Sequence, residues 1–192
     1  MTKVFITDIS CLNSDISRYK DYISEYRYEK AKRQKKIQNQ LLGIGAELLL
    51  GKYLGRRPNY TVDEYGKPAG EEVEFNFSHS GSIAVCAVSH TPVGVDVEKI
   101  RDVNMDIAKK KFCSNEYKNI INSQQPREKF FEYWVKKESY VKALGMGLRM
   151  PFNETDTDAV ADWQMHMYDD IEGYKLCVCT KEPVEFVFLS EF

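Results

Sequence analysis

The stretch from Val93 to Glu98 constrains the fold of this chain more than any other. Three valines alternate there with a glycine and two acids, in the order Val93, Gly94, Val95, Asp96, Val97 and Glu98. A period of two residues predicts a strand with one apolar face, so both carboxylates leave the same side, roughly 6.6 Å apart at a rise of about 3.3 Å per residue. Two acids this close repel each other, and we expect a cation between them. Gly94 lies on the same face and is expected to leave open room beside them.

A helix is predicted from Arg127 to Leu144, because this segment has no Gly or Pro and its apolar residues recur three and four apart. Glu138 and Lys142 are four residues apart and therefore project from one face. The same face begins with Phe131 and Val135, which is typical of a helix that enters a core at one end and borders a polar cleft at the other. The alternative is an ordinary Glu–Lys salt bridge on the helix surface, worth about 0.2–0.5 kcal/mol.

Composition describes an ordinary globular protein. The 192 residues are 43% apolar and 29% charged, and this length allows one or two domains. A net charge of −2 argues against a general nucleic-acid binder. No apolar run approaches the ~20 residues of a membrane span, and residues 1–10 lack the features of a signal peptide. The 5 cysteines are odd in number and lie mostly in apolar segments, as in reduced cytoplasmic proteins.

Periodicity and turn residues predict the other elements. Strands are expected at residues 3–9, 73–77, 83–88, 163–168, 174–179 and 184–189. Helices are expected at residues 12–27, 41–54, 107–112 and 114–121. Pro92 breaks the chain before the Asp96 strand, and because Pro cannot occupy a central strand, we place a boundary there between subdomains at residues 1–91 and 92–192.

Several cations and hydroxyls are candidates for binding an anion. Arg27 and Lys30 open a basic run that could equally be a solvated helix face, and Lys67 lies in a turn where it could be a loop cation only. His79 stands between two serines, the first of which is Ser78, ahead of a glycine. A single His at a strand end is usually structural. Here, however, hydroxyls and exposed backbone donors in a turn are the parts of an oxyanion-binding loop.

Together these segments resemble the Sfp-type 4′-phosphopantetheinyl transferases. The matching motifs are Tyr65-Gly66-Lys67-Pro68, Asn76-Phe77-Ser78-His79-Ser80-Gly81, Gly94-Val95-Asp96-Val97-Glu98, and Trp134 with Lys137-Glu138-Ser139 and Lys142-Ala143. The resemblance covers most of the chain. It implies an α+β fold of two similar α/β halves related by pseudo-twofold symmetry, with the active site in the cleft between them. It also implies transfer of 4′-phosphopantetheine from coenzyme A to a serine of an apo acyl- or peptidyl-carrier protein, which yields the holo carrier and adenosine 3′,5′-bisphosphate.

The resemblance implies a role for each candidate residue. Asp96, Glu98 and Glu138 are expected to hold Mg²⁺, or Mn²⁺, since hard cations take oxygen ligands. Glu138, or a water on the metal, is expected to remove the proton of the serine, and Lys142 to neutralise or protonate the leaving nucleotide. The residues expected to bind coenzyme A are Arg27, Lys30, Lys67, Ser78 and His79.

Other features leave alternatives open. Lys109, Lys110 and Lys111 are either a solvated helical turn or a surface that receives an acidic carrier protein, and Glu116 has no assigned role. A different Mg²⁺-dependent phosphotransferase is one rival, although the chain has no GxxxxGK[ST] loop. A silent relative that only binds coenzyme A or a carrier is another, and the intact acids argue against it. We expect a cytoplasmic monomer with no membrane or nucleic-acid partner.

Overall fold

The fold is α+β, as predicted, with two main sheets and one long helix against each. The computed structural model describes residues 1–63, 68–70, 72–147 and 150–192. Its elements in chain order are β1 (Thr2–Asp8), α1 (Glu25–Lys32), α2 (Ile37–Leu54), β2 (Thr61–Val62), β3 (Pro68–Ala69), β4 (Glu74–Ser80), β5 (Ile83–Ser89), β6 (Gly94–Lys99), α3 (Asp106–Lys111), α4 (Ser114–Ile121), α5 (Pro126–Leu144), β7 (Gln164–Tyr168), β8 (Tyr174–Thr180) and β9 (Val184–Phe188).

The first sheet has the strand order β4-β5-β1-β9, and the second has the order β6-β8-β7. All neighbouring strands in them are antiparallel except β1 and β9, which are parallel. The predicted boundary between residues 91 and 92 lies between β5 and β6 and stays a prediction. Strand β9, near the C-terminus, returns to the first sheet and pairs with β1.

The main core lies between the two sheets, where apolar side chains at alternate strand positions meet. The members contributed by β1, β5, β6 and β8 include Val4, Ile6, Val85, Ala87, Val95, Val97, Leu176 and Val178. The outer face of the first sheet packs on α2, through Leu49 and Leu50 against Phe5, Phe75 and Cys86. The alternation that predicted β6 is therefore confirmed, since its valines are buried and its acids leave the other face.

Gly94 is not beside open room, which corrects the sequence prediction. A Cβ atom placed on Gly94 would lie 2.0 Å from the backbone oxygen of Ser139 and 2.4 Å from the backbone nitrogen of Ala143. Helix α5 thus packs directly on the backbone of β6 at this point. Because any larger residue would separate the two elements, Gly94 sets the distance between the strand and the helix that carry the predicted acids.

The helix predicted at residues 12–27 is wrong. Within this range the structure has one short 3₁₀ helix, Ile16–Tyr19, and α1 begins only at Glu25; another 3₁₀ helix, Ile9–Cys11, precedes the range. Side chains of Asn13 and Asp15 accept hydrogen bonds from backbone N–H groups two residues ahead, at 2.8 and 3.1 Å. Such local bonds compete with helix formation. The other predicted strands and helices are confirmed, with ends that differ by at most a few residues.

None of the helices that the structure describes combines the length and the apolar character required to cross a lipid bilayer.

Candidate active site

A cavity of about 590 Å³ opens where β4 and β6 meet α1 and α5. It brings together predicted residues that are far apart in the chain, from Arg27 on α1 to Lys142 on α5. The predicted site residues in its wall are Arg27, Lys30, Ser78, His79, Asp96, Glu98, Glu138 and Lys142. Lys67 and most of its motif lie outside the described residues.

Strand β4 meets β6 through side chains instead of a backbone ladder. Alternate β4 side chains accept hydrogen bonds from alternate backbone N–H groups of β6. The pairs are Asn76 Oδ1 with Val95 N at 3.1 Å, Ser78 Oγ with Val97 N at 3.2 Å, and Ser80 Oγ with Lys99 N at 3.1 Å. We call these three contacts the β4–β6 seam. The seam joins the edges of the two main sheets and aligns the acids of β6 with the cavity.

The prediction of an oxyanion-binding turn at Ser78 and His79 is wrong, because both residues lie within strand β4. Strand β4 continues to Ser80, which pairs with Ile83 of β5. The turn comes at Gly81, which has a φ of 60°, a conformation that glycine adopts without strain. Because a strand alternates its side chains, His79 points away from its two serine neighbours, and it pairs with Ala84 of β5.

Asp96 is buried, and its two carboxylate oxygens have different surroundings. Oδ1 accepts hydrogen bonds from Ser78 Oγ at 2.9 Å and from Lys142 Nζ at 2.7 Å. Oδ2 is out of contact with solvent and has no hydrogen-bond partner among the described residues. A buried carboxylate oxygen without a partner is costly. Oδ2 therefore needs a cation or a donor from outside the described residues.

Glu98, two residues further along β6, has both a serine and an arginine as partners. Its Oε2 accepts from Ser80 Oγ at 2.8 Å and from Arg101 Nη1 at 2.9 Å. Arg101 lies over the ring of Phe131 on α5, 5.3 Å from the ring centroid. Only one of the Glu98 oxygens is therefore engaged by described side chains.

Glu138 faces these two acids from α5. Its carboxylate forms no hydrogen bond and no ion pair with any of the described residues. Burial raises the pKa of Glu138, and the charges of Asp96 and Glu98 raise it further while Lys142 lowers it. Burial likewise raises the pKa of Asp96 despite the contacts with Lys142 and Ser78. The acids thus repel each other across the cleft, as their spacing predicted.

The ordinary salt bridge between Glu138 and Lys142 is excluded. Lys142 Nζ donates to Asp96 Oδ1 and, at 2.9 Å, to the backbone oxygen of Val95. The lysine therefore crosses from α5 to β6 and leaves Glu138 unpaired among the described residues.

The acids fit a hard divalent cation. Three carboxylates from a strand and a helix border one cavity, and oxygen donors of this kind are those that Mg²⁺ and Mn²⁺ bind. The unpartnered Asp96 Oδ2 fits such an ion, because it is a buried carboxylate oxygen without a described donor. Burial is the main cause of the raised pKa values of Asp96 and Glu138, and the charges of the neighbouring acids add to it. Asp96, Glu98 and Glu138 are accordingly the residues that would hold such an ion.

The opposite wall of the cavity is cationic. Lys30 is exposed, and its Nζ lies 3.4 Å from the hydroxyl of Tyr26. Withdrawal from water in the cleft lowers the pKa of His79, and the charges of Arg27, Lys142 and Lys30 lower it further. These three cations near His79 favour an anionic ligand.

Arg27 is held by a buried acid that the sequence prediction missed. Glu47 of α2 is fully buried and accepts from Arg27 Nε at 3.0 Å, from Tyr60 Oη at 2.5 Å and from Ser24 N at 2.5 Å. Burial raises the pKa of Tyr60 above its ordinary value, and Glu47 adds to that rise, so the hydroxyl remains a donor. The available signal was one glutamate inside an apolar helix, which must find partners when buried.

A second buried network supports α5 from behind. Glu116 and Lys137 are 0% and 1% exposed and form an ion pair at 2.7 Å. Glu116 also accepts from Thr157, and Lys137 donates to the backbone oxygens of Phe152 and Thr155. These contacts tie the segment after α5 to the helix that carries Glu138. Glu116 is thus a structural partner of Lys137.

Lys109, Lys110 and Lys111 are exposed on α3. Their exposure is compatible with both predicted alternatives, a solvated turn and a docking surface for an acidic carrier.

Comparisons with known proteins show the family of the chain. The 4′-phosphopantetheinyl transferase superfamily matches residues 92–184. The chain is 35% identical over 180 residues to the 4′-phosphopantetheinyl transferase gsp of Aneurinibacillus migulanus, a match that covers 82% of this chain and 76% of the relative. It is 28% identical over 194 residues to the 4′-phosphopantetheinyl transferase Sfp of Bacillus subtilis, covering 86% and 85%. The solved holo-[acyl-carrier-protein] synthase of Thermotoga maritima matches with a TM-score of 0.38 and 19% identity, over 46% of this chain and 61% of that one. Because the identity to the Aneurinibacillus migulanus protein extends over most of both chains, this chain belongs to the 4′-phosphopantetheinyl transferase family.

Proposed function

We propose that this protein transfers the 4′-phosphopantetheine group of coenzyme A to a serine of an apo acyl- or peptidyl-carrier protein, with Mg²⁺ or Mn²⁺ as cofactor. One observation carries the proposal. Asp96, Glu98 and Glu138 line the same cavity as Lys142 and as the cations Arg27 and Lys30. An acidic metal site beside a phosphate-binding wall is the arrangement that attack on a pyrophosphate requires. We further propose that the protein acts as a monomer with subdomains at residues 1–91 and 92–192.

Asp96, Glu98 and Glu138 would hold the metal. When bound, the ion would withdraw negative charge from the pyrophosphate and so make its phosphorus easier to attack. Asp96 Oδ2 supports this assignment, because it is buried without a described partner while Oδ1 is engaged by Ser78 and Lys142. The negative charge of the site lies on the carboxylates of Asp96, Glu98 and Glu138 in the cavity lining.

Glu138 is the proposed general base. The carrier serine attacks the phosphorus that bears the pantetheine arm, its hydroxyl proton passes to the Glu138 carboxylate, and the bond to the adenosine 3′,5′-bisphosphate breaks. A free hydroxyl is a poor nucleophile, so this transfer matters. Burial and the neighbouring acids raise the pKa of Glu138, which brings its proton affinity closer to that of an efficient base at neutral pH.

Lys142 is proposed to stabilise the leaving nucleotide. Its Nζ is fixed by Asp96 and by the carbonyl of Val95, so a positive charge stands at the cavity wall before the substrate arrives. Pre-positioned charge stabilises a developing oxyanion without reorganisation.

Arg27, Lys30 and His79 are proposed to bind the phosphates of coenzyme A, together with Lys67, which lies outside the described residues. The support is that Arg27, Lys30 and His79 line the same cavity, and that the charges of Arg27 and Lys30 act on His79. The hydroxyl of Ser78, the other predicted ligand, is already bonded to Asp96 and Val97.

The reaction is tested by incubating the full chain with coenzyme A, Mg²⁺ and an apo carrier protein, and then weighing the carrier by mass spectrometry. We expect a gain of one phosphopantetheine on the acceptor serine and none in EDTA. A carrier whose serine is replaced by alanine is the matched control. Transfer of a phosphate alone would favour the rival phosphotransferase, and binding of the carrier without a gain in mass would favour the silent relative.

A further inference from the structure

We propose that Gly43 and Glu47, one helical turn apart on α2, form a cradle that positions the guanidinium of Arg27 for coenzyme A. Arg27 lines the cavity, whereas Gly43 and Glu47 lie behind it, outside the described lining. Both are therefore positioning residues that act through the arginine. The inference rests on the proposed function, because it assumes that Arg27 binds an anionic group of coenzyme A.

The buried acid fixes one nitrogen of the guanidinium. Glu47 is fully buried, and its Oε2 accepts a hydrogen bond from Arg27 Nε at 3.0 Å. The same carboxylate accepts from Ser24 N and from Tyr60 Oη, both at 2.5 Å. Three donors from separate parts of the chain hold this carboxylate, and such a satisfied buried network is rigid. Glu47 thus presents a fixed acceptor to the arginine.

Gly43 provides the space that the guanidinium occupies. A Cβ atom placed on Gly43 would lie 3.0 Å from Arg27 Nη1 and 3.5 Å from Arg27 Cδ. Residues four apart on a helix share a face, so Gly43 and Glu47 contact the arginine from the same face of α2. The guanidinium carbon also lies 5.5 Å from the centroid of the Phe77 ring on β4. The side chain is therefore held between α2 and β4 before any ligand arrives.

The cradle leaves part of the guanidinium available to a ligand. A guanidinium has five N–H donors, four of which are on Nη1 and Nη2. No carboxylate or backbone oxygen in the part of the chain that the structure describes accepts a hydrogen bond from these two atoms of Arg27. The side chain is 13% exposed. Its terminal nitrogens can therefore bind an oxyanion, which the planar guanidinium suits well.

Fixing the arginine in advance lowers the cost of binding the donor. A free arginine on a helix surface has many rotamers, and ordering them only when a ligand binds weakens the affinity. Here the contacts with Glu47, Gly43 and Phe77 order the side chain in the folded protein. Loss of this order should therefore change the affinity for coenzyme A and leave the chemical step at Glu138 unchanged.

The first test compares Gly43→Ala with the matched control Gly45→Ala, by calorimetry of coenzyme A binding to the full chain in EDTA. Both glycines are buried in α2, and a Cβ on either would meet its nearest atom at 3.0 Å. For Gly45 that atom is Cγ2 of Ile9, so this variant disturbs packing without contacting Arg27. We expect Gly43→Ala to weaken binding about tenfold and Gly45→Ala to stay close to the parent. Equal affinities in the two variants would overturn the cradle.

The second test is a double-mutant cycle between Glu47→Gln and Arg27→Ala. We expect Glu47→Gln alone to weaken coenzyme A binding by about 10–100-fold, the range for a hydrogen bond to a charged group, and to raise KM while kcat stays near that of the parent. In the Arg27→Ala background it should cause no further loss, because no guanidinium remains to be positioned. An equal loss in both backgrounds would overturn the proposal. If Glu47→Gln melts early, the pair of glycine variants decides the question.

The parent protein distinguishes failure of this inference from failure of the proposed function. A parent that forms holo carrier, with coenzyme A affinity unchanged in Gly43→Ala and in Glu47→Gln, would overturn the cradle alone. A parent that neither binds coenzyme A nor modifies the carrier would remove the proposed function, and the inference with it.

Discussion

At the scale of single residues, the account depends on where buried charge is compensated. Asp96 has one satisfied oxygen and one without a described partner, and Glu138 has no described ion pair. Behind α5, by contrast, Glu116 and Lys137 compensate each other in a buried ion pair. The contrast separates charges that are compensated within the fold from charges that are left for a cation or a substrate.

His79 gives a prediction at this scale. Desolvation and the charges of Arg27 and Lys142 lower its pKa. An anion bound beside the imidazole stabilises the protonated form, so coenzyme A added in EDTA should raise that pKa. The measurement is an NMR pH titration of the imidazole protons with and without coenzyme A.

The chain has 3 histidines, so His79→Gln identifies the signal by its loss, and the exposed His90 is the internal control. An unchanged His79 pKa in saturating coenzyme A would separate this residue from the donor site.

At the scale of elements, α5 carries the proposed catalytic residues Glu138 and Lys142 on one face and Lys137 of a buried ion pair on another. Breaking a buried pair by removing one partner costs about 3–5 kcal/mol, because the other charge is left uncompensated. We therefore expect Glu116→Gln to lower the free energy of unfolding by an amount of that order, measured by urea denaturation. The pair is at most 1% exposed.

Glu132→Gln is the matched control on the same helix. Glu132 pairs with Lys129 and Lys136 near the surface, where a pair contributes about 0–1 kcal/mol. Equal losses for Glu116→Gln and Glu132→Gln would contradict the structural role of the buried network.

The elements also show what the sequence can and cannot predict. Strand β6 and helix α5 were predictable because alternation and a three-to-four spacing are local signals. The contact between Gly94 and α5 was not, since a glycine in a strand has the same appearance whether it faces a void or a backbone. The helix predicted at residues 12–27 was wrong because the side chains of Asn13 and Asp15 accept hydrogen bonds from nearby backbone N–H groups and so compete with helix formation.

Pairings between distant residues were the least predictable part of the site. Ser78 and Asp96 are near in sequence, yet their hydrogen bond depends on how two sheets meet at the seam. Lys142 appeared to have Glu138 as its partner from spacing alone, and it binds Asp96 across the elements. Such contacts follow from tertiary packing, which no local pattern encodes.

At the scale of the whole molecule, the acidic cleft should make stability depend on pH and on metal. The folded-state pKa values of Asp96 and Glu138 lie above their ordinary values of 3.8 and 4.5. The folded state then binds protons more tightly than the unfolded state, so in the absence of metal the free energy of unfolding falls as pH rises from these ordinary values through the raised ones. Above that window the repulsion between the acids is fully present.

Mg²⁺ should offset this repulsion. We expect millimolar Mg²⁺ to raise the melting temperature at pH 7.5, as any ligand of the folded state does, and to raise it less at pH 5, where protons compete for the acids. Thermal melting with MgCl₂ and with NaCl at matched ionic strength separates binding from screening. A shift that is equal at both pH values would contradict the assignment of these acids.

The most direct test of the central claim is one variant, Glu138→Gln, examined by two measurements. The amide keeps the shape of the side chain and loses the charge and the proton affinity that a metal ligand and general base need. We predict that formation of holo carrier, followed by mass spectrometry, falls by on the order of 10²–10⁴, the range typical of a lost general base. Affinity for coenzyme A in EDTA, measured by calorimetry, should stay near that of the parent, because the donor is held at the opposite wall. Near-normal turnover would contradict the account.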